Sequence, residues 1–144
     1  MINSIDAKVV QVYQQIVDLT EKRPQWLARQ VAIFYMIPEA MTHVIFRESI
    51  WDAVWLLFIL TIAGLLVYAT YDEYAFRVFG ESRWARVALL SLTVGQAVVF
   101  IVTPSGRGFL TLVGGIGMLS YYGFAGCEGP RPRKRKEKLI VSPV

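Results

Sequence analysis

Glu39 and His43 stand four residues apart, which puts a carboxyl and an imidazole on one helical face, the one pairing here suited to handling a proton. The chain holds one histidine and one cysteine. One cysteine closes no internal disulfide, and one histidine makes neither a zinc site nor a two-histidine haem site, so metal chemistry by this chain alone is not expected. Gly114-Gly115-Ile116-Gly117 is rich in glycine, yet no soluble strand precedes it and no lysine follows, which argues against a phosphate loop. There is no serine elbow, and His43 has no nucleophile in its sequence context. Cys127, at the edge of an apolar stretch, is a weak candidate for lipid attachment. Gln96 with Thr93 is the strongly polar pair inside an apolar stretch and is expected to hydrogen-bond between helices. These residue types predict a non-catalytic chain without a cofactor, structural lipids aside. Glu39 and His43 are expected to anchor a helix at the bilayer margin or to meet a partner.

The elements that must position these groups are mostly apolar. Hydrophobic residues make up 55% of the 144, and the mean hydropathy of +0.45 is too high for an ordinary soluble domain of this size. Residues 53–71, 87–103 and 109–127 contain no Asp, Glu, Lys or Arg and approach the ~20 residues that cross ~30 Å of hydrocarbon. Asp52 and Asp72-Glu73 bound the first, Arg83, Arg86 and Pro104 the second, Arg107 and Glu128 the third. Trp51, Tyr68, Tyr71, Trp84, Tyr121 and Tyr122 fall at or near the ends of these stretches, where amphipathic rings settle among headgroups. Pro104-Ser105-Gly106-Arg107-Gly108 reads as a tight turn that makes the second and third spans antiparallel neighbours. The loop 72–86 is long enough for a polar turn or a short interfacial helix, with solvated ion pairs among its charges.

Two elements precede the spans. Ile2, Ile5, Val9, Val12, Ile16 and Leu19 recur at threes and fours between polar residues, predicting an amphipathic helix within residues 1–23 that Pro24 ends. Its seam, Ile5, Val9, Val12, Ile16 and Leu19, is expected to dock on another helix or subunit, since few basic residues line the polar face for anionic lipid. Residues 24–50 are apolar but interrupted by Arg29, Pro38, Glu39 and His43. Burying a carboxylate and a proline at mid-membrane is costly, which favours an interfacial or kinked helix over a fourth span. The expected fold is an all-α integral membrane protein: three transmembrane helices within 51–127, preceded by the amphipathic helix and the interfacial or kinked one, and followed by a basic tail, 128–144.

Small residues fall at every third position of the last span: Gly108, Thr111, Gly114, Gly117, Ser120, Gly123 and Gly126. Each step of three turns 300° around an α-helix, so the stripe winds left-handedly once in about 18 residues, or ~27 Å. Such a stripe predicts close packing against several neighbours at different depths, the second span among them.

The tail carries Arg131, Arg133, Lys134, Arg135 and Lys136, a run that could meet anionic lipid, an acidic partner or ribosomal RNA and is expected to serve first as a stop-transfer and topology anchor. With three spans, nine Lys and Arg lie on the tail side against six on the side of the N-terminal region, a modest bias that places the tail in the cytoplasm or matrix. The first residues lack the basic flank and apolar core of a secretory signal, so insertion through the chain's own spans is expected. A formal charge of +4 without a folded, aromatic-studded basic patch argues for membrane or partner electrostatics rather than nucleic acid. No expected span holds an ionisable Asp, Glu, Lys, Arg or His, which disfavours a pump or transporter acting alone. The expected function is a non-catalytic structural or accessory subunit of a multi-subunit membrane complex, respiratory, ATP-synthase-like or photosynthetic, in a bacterial or mitochondrial inner membrane. The alternative rests on layout alone: three spans, a short chain and a charged tail resemble three-span phage holins, which would make it a self-assembling membrane lesion former.

Overall fold

The computed structural model describes residues 1–130; Arg131, Arg133, Lys134, Arg135 and Lys136, with the rest of the tail, lie outside the described residues. Six helices make up the described chain: α1 (Ile2–Thr20), α2 (Pro24–Ile45), α3 (Ile50–Ala69), α4 (Glu73–Glu81), α5 (Arg83–Val102) and α6 (Gly106–Ala125). Of these, α3, α5 and α6 are each long and apolar enough to cross a membrane.

Local chemistry sets the boundaries. Glu21 takes a left-handed conformation with φ 55° and returns its N–H to Val17 O, closing α1. Arg23 is extended and Pro24 opens α2 at a position where a missing N–H has no consequence. The α2 helix then runs on through Pro38 to Ile45, with the Thr42 hydroxyl donating to Pro38 O. Asp52 Oδ2 accepts from the N–H groups of Glu48 and Ser49 and starts α3; Asp72 accepts from Tyr74 N and starts α4; Ser105 Oγ accepts from Gly108 N and starts α6. The second and third spans begin three to four residues earlier than the charge-free stretches, because Arg83, Arg86 and Arg107 are themselves helical.

The helix α2 lies between α3 and α6 and runs antiparallel to both. Toward α6, the Phe46 ring rests on Gly106 and Tyr35 on Gly117. Toward α3, His43 meets Asp52 at one end and Arg29 Nε donates to Thr70 Oγ1 at 3.0 Å at the other. At 22 residues α2 is about 33 Å long, as long as the helices beside it. Its buried residues Ala28, Ala32, Pro38 and Thr42 are small or compact, which brings its backbone close to the α6 glycines. The α5–α6 pair forms the expected antiparallel hairpin, with Phe100 and Phe109 centroids 6.0 Å apart near the turn.

A dense core occupies one end of the bundle, where Val17, Ala28, Ala32, Leu66, Phe76, Tyr121, Phe124 and Ala125 cluster. Tyr121 is 1% exposed, packs edge-on against Phe76 and Phe79, and donates its hydroxyl to Leu66 O at 2.7 Å. It is a core residue rather than a headgroup ring, because α4 folds back over it. The helix α1 covers the same end, docked on the finish of α6 and the start of α5. Its docked face carries the buried Gln14 and Val17, with Asp6, Val10 and Tyr13 half-buried beside them; of the apolar seam, Ile5 and Val9 are likewise half-buried, while Val12, Ile16 and Leu19 are 54%, 37% and 68% exposed. The outer faces of α3 and α5 are largely bare apolar side chain. Only Ala63, Leu66 and Ala69 of α3, and Arg86 and Thr93 of α5, are buried.

Candidate functional site

Tyr35, Glu39 and His43 follow one another at steps of four on the α2 face turned toward α6 and the start of α3. The glycines opposite make room for them. A side chain at Gly114 would overlap the Glu39 carboxyl and press on the Tyr35 ring, and one at Gly117 would come within 3.2 Å of Tyr35 Cβ. Gly114 lies eight residues into α6, about 12 Å along its axis, so the Glu39 carboxyl sits at the depth of an apolar helix rather than at its end. The Tyr35 hydroxyl lies beside that carboxyl, and the His43 imidazole is its neighbour on the other side.

His43 leads outward. Its Nδ1 is 3.3 Å from Asp52 Oδ1, with the two side chains only 13% and 16% exposed. The second Asp52 oxygen is held by the Glu48 and Ser49 amides at 2.8 and 3.1 Å. Asp52 is thereby fixed by its role in starting α3, and it orients the imidazole in turn. Among the described residues the Lys and Arg ion pairs are Arg86–Asp6, Arg77–Glu73 and Arg107–Glu48; Glu39 has no cation of this kind within reach. Phenol, carboxyl, imidazole and carboxylate thus form a row of four groups that each bind or release a proton, flanked by Gly114 and Gly117. No group of three or more His, Cys, Asp or Glu suited to a metal occurs among the described residues.

The small-residue stripe faces the chain's own helices. Gly108 meets Phe100 of α5, Gly114 and Gly117 meet α2, and Gly123 lies under the Tyr13 ring of α1. Ser120 Oγ is 3.0 Å from the Tyr13 hydroxyl, and Gly126 abuts Arg86 and Val10. Thr111 bonds back to Arg107 O within its own helix. The residues therefore change partner from turn to turn along α6.

Sequence reasoning left three features unread. Arg86 is buried and its guanidinium takes both Asp6 oxygens, at 2.5 and 2.9 Å, from a residue 80 positions away. Gln14 Oε1 accepts from Glu128 N across 114 positions. Neither separation leaves a local signal. Tyr35 was readable, since it stands at the same spacing from Glu39 as His43 does. Thr93 bonds within α5 to Leu89 O, and buried Gln96 Oε1 rests against Gly115 without a hydrogen-bond partner, so the expected interhelical bond is not made. Cys127 Sγ lies 3.2 Å from Gly123 O, and burial pushes its thiol up to about 12, which leaves little thiolate for acylation. Comparison with protein-family models, curated proteins and solved structures finds no match for this chain.

Proposed function

We propose that this chain is a non-catalytic accessory subunit of a multi-subunit complex, respiratory, ATP-synthase-like or photosynthetic, in a bacterial or mitochondrial inner membrane. The observation that carries this reading is α1. It presents apolar side chains on two faces about 120° apart: one docked on α5 and α6, the other left open through Val12, Ile16 and Leu19. A helix outside the apolar spans that is apolar on two sides fits between this chain and a protein neighbour. Farther along the bundle, an open cleft of about 960 Å³ between α5 and α6, lined by Ala88, Leu92, Gly95, Val99, Gly108 and Thr111, suits a partner helix or a structural lipid tail.

In this reading α2 crosses the bilayer as a fourth helix. Its antiparallel course along α3 and α6 gives it the same depth as both, and charge supports the arrangement. Lys8, Lys22, Arg23, Arg29, Arg77, Arg83 and Arg86 lie at the end of the bundle where α1 docks, against Arg47 and Arg107 at the other. Pro130 lies at that same end, and the sequence that follows it is basic, which on the positive-inside rule favours the cytoplasm or matrix for this end.

Purifying a tagged copy in mild detergent tests the subunit assignment. A fixed set of membrane proteins should accompany the chain, and Ile16→Asp should release them. A bare monomer would sink the assignment. Expression of the chain alone that collapses the membrane potential, with homo-oligomers forming, would favour the lesion-former reading instead. That reading stands second because it needs small residues facing outward, whereas the α6 glycines turn onto α1, α2 and α5.

A further inference from the structure

Glu39 is a carboxyl at the depth of the apolar helices, seated on the backbone of Gly114, with no Lys or Arg to balance it among the described residues. Ionising such a group between apolar helices, with no Lys or Arg beside it, is expensive, so a carboxyl kept there binds a proton and gives it up only along a polar route. One route exists. His43 stands one turn along α2 toward the bundle end, and Asp52 behind it reaches the Glu48–Ser49 backbone at the surface. From these positions we propose that Glu39 is a proton-binding site inside the helix bundle, exchanging its proton with the Arg47–Asp52 end through His43 and Asp52.

The groups facing Glu39 fit this role. On α2 these are Tyr35, whose hydroxyl can hydrogen-bond to the carboxyl, and His43. From α3 comes Asp52, through His43. The α6 helix has no charged side chain between Arg107, which pairs with Glu48, and Glu128; Tyr121 and Tyr122 lie toward its other end. Tyr35 positions the carboxyl, and His43 is the group through which its proton leaves.

This inference rests on α2 crossing the bilayer, and carbodiimides tell the two apart. A carbodiimide takes up a protonated carboxyl: the acid O–H adds across N=C=N, the proton goes to nitrogen, and acyl transfer within the adduct leaves a stable N-acylurea with nothing expelled. The full chain in liposomes is treated with the apolar dicyclohexylcarbodiimide or with a water-soluble carbodiimide plus an amine, and adducts are mapped by mass spectrometry. The apolar reagent should modify Glu39 at low pH and progressively less as pH rises, and the soluble one should not. Glu39→Gln should remove that adduct and no other. His43→Gln should extend labelling to higher pH, because an imidazolium beside the carboxyl no longer favours its ionised form. Modification by the soluble reagent would place α2 at the surface and overturn the four-crossing arrangement with it. No reaction with either reagent, or labelling insensitive to pH, would overturn the proton site while leaving the arrangement standing. Protection by Na⁺ at fixed pH would assign the carboxyl to a metal cation and overturn the proton assignment.

Discussion

Glycines in this chain differ by what lies over them, and substitution should separate them cleanly. A methyl group at Gly123 would enter the Tyr13 ring, whereas Gly95 has nothing within 4 Å of where a Cβ would stand. Gly123→Ala should therefore cost about 1–3 kcal/mol through overpacking, while Gly95→Ala should be neutral or gain up to about 1 kcal/mol of helix propensity. Reversible unfolding in mixed micelles measures both; equal losses at the two sites would mean that α1 does not dock through Tyr13. Cys127 offers a second residue-scale readout. With its thiol pushed up by burial from an ordinary 9.0 to about 12, the thiolate population near neutral pH falls roughly a thousandfold. Alkylation at pH 8 should be slow in the folded chain and fast after denaturation. Fast alkylation of the folded chain would show that the end of α6 is open to water.

Among the elements, α1 is tied to α5 by a buried ion pair. Arg86 has a 5% exposed side chain, bonds both Asp6 oxygens and also donates to Gly80 O. Removing one partner strands the other charge, so Asp6→Ala should cost about 3–5 kcal/mol, and pairing Asp6→Leu with Arg86→Met should recover most of it. Hydrogen exchange reads this directly: the α1 amides should lose protection in Asp6→Ala while the α5 and α6 amides keep theirs. Unchanged α1 protection would mean that the ion pair does not hold the helix. The helices themselves were legible in the sequence, because a charge-free run of 17 to 19 residues and a 3.6-residue period are local signals. The docked face of α1 was not. Asp6 and Gln14 look like solvent residues until Arg86 and the Glu128 amide, 80 and 114 positions away, meet them. Hydropathy selected a seam of which the chain covers Ile5 and Val9 in part and leaves Val12, Ile16 and Leu19 open.

For the whole molecule, the question of depth turns on α2, which sequence arithmetic treated as a candidate for the bilayer surface. The charges of Arg29 and Glu39 argue for that surface when each is priced alone. The fold changes the terms. Arg29 lies at the bundle end, 3.7 Å over the Tyr71 ring and bonded to Thr70, and the glycines of α6 give Glu39 a seat between helices instead of in lipid. Period-three small residues were visible in α6, but the helices they receive depend on tertiary packing. Three and four crossings make opposite statements about one position. With three, Ser4 and Ser105 lie on the same side of the membrane; with four, Ser105 stays with Ser49, and Ser4 moves to the side of Tyr74 and Glu128. Single cysteines at Ser4, Ser49, Tyr74 and Ser105 in a Cys127→Ser background, challenged with an impermeant maleimide on sealed vesicles of one orientation, resolve this. The expected pattern labels Ser4→Cys with Tyr74→Cys and leaves Ser49→Cys with Ser105→Cys until the vesicles are opened. Ser4→Cys labelling together with Ser105→Cys would return α2 to the surface, and would remove with it the reason for a carboxyl seated between helices to trade its proton through His43.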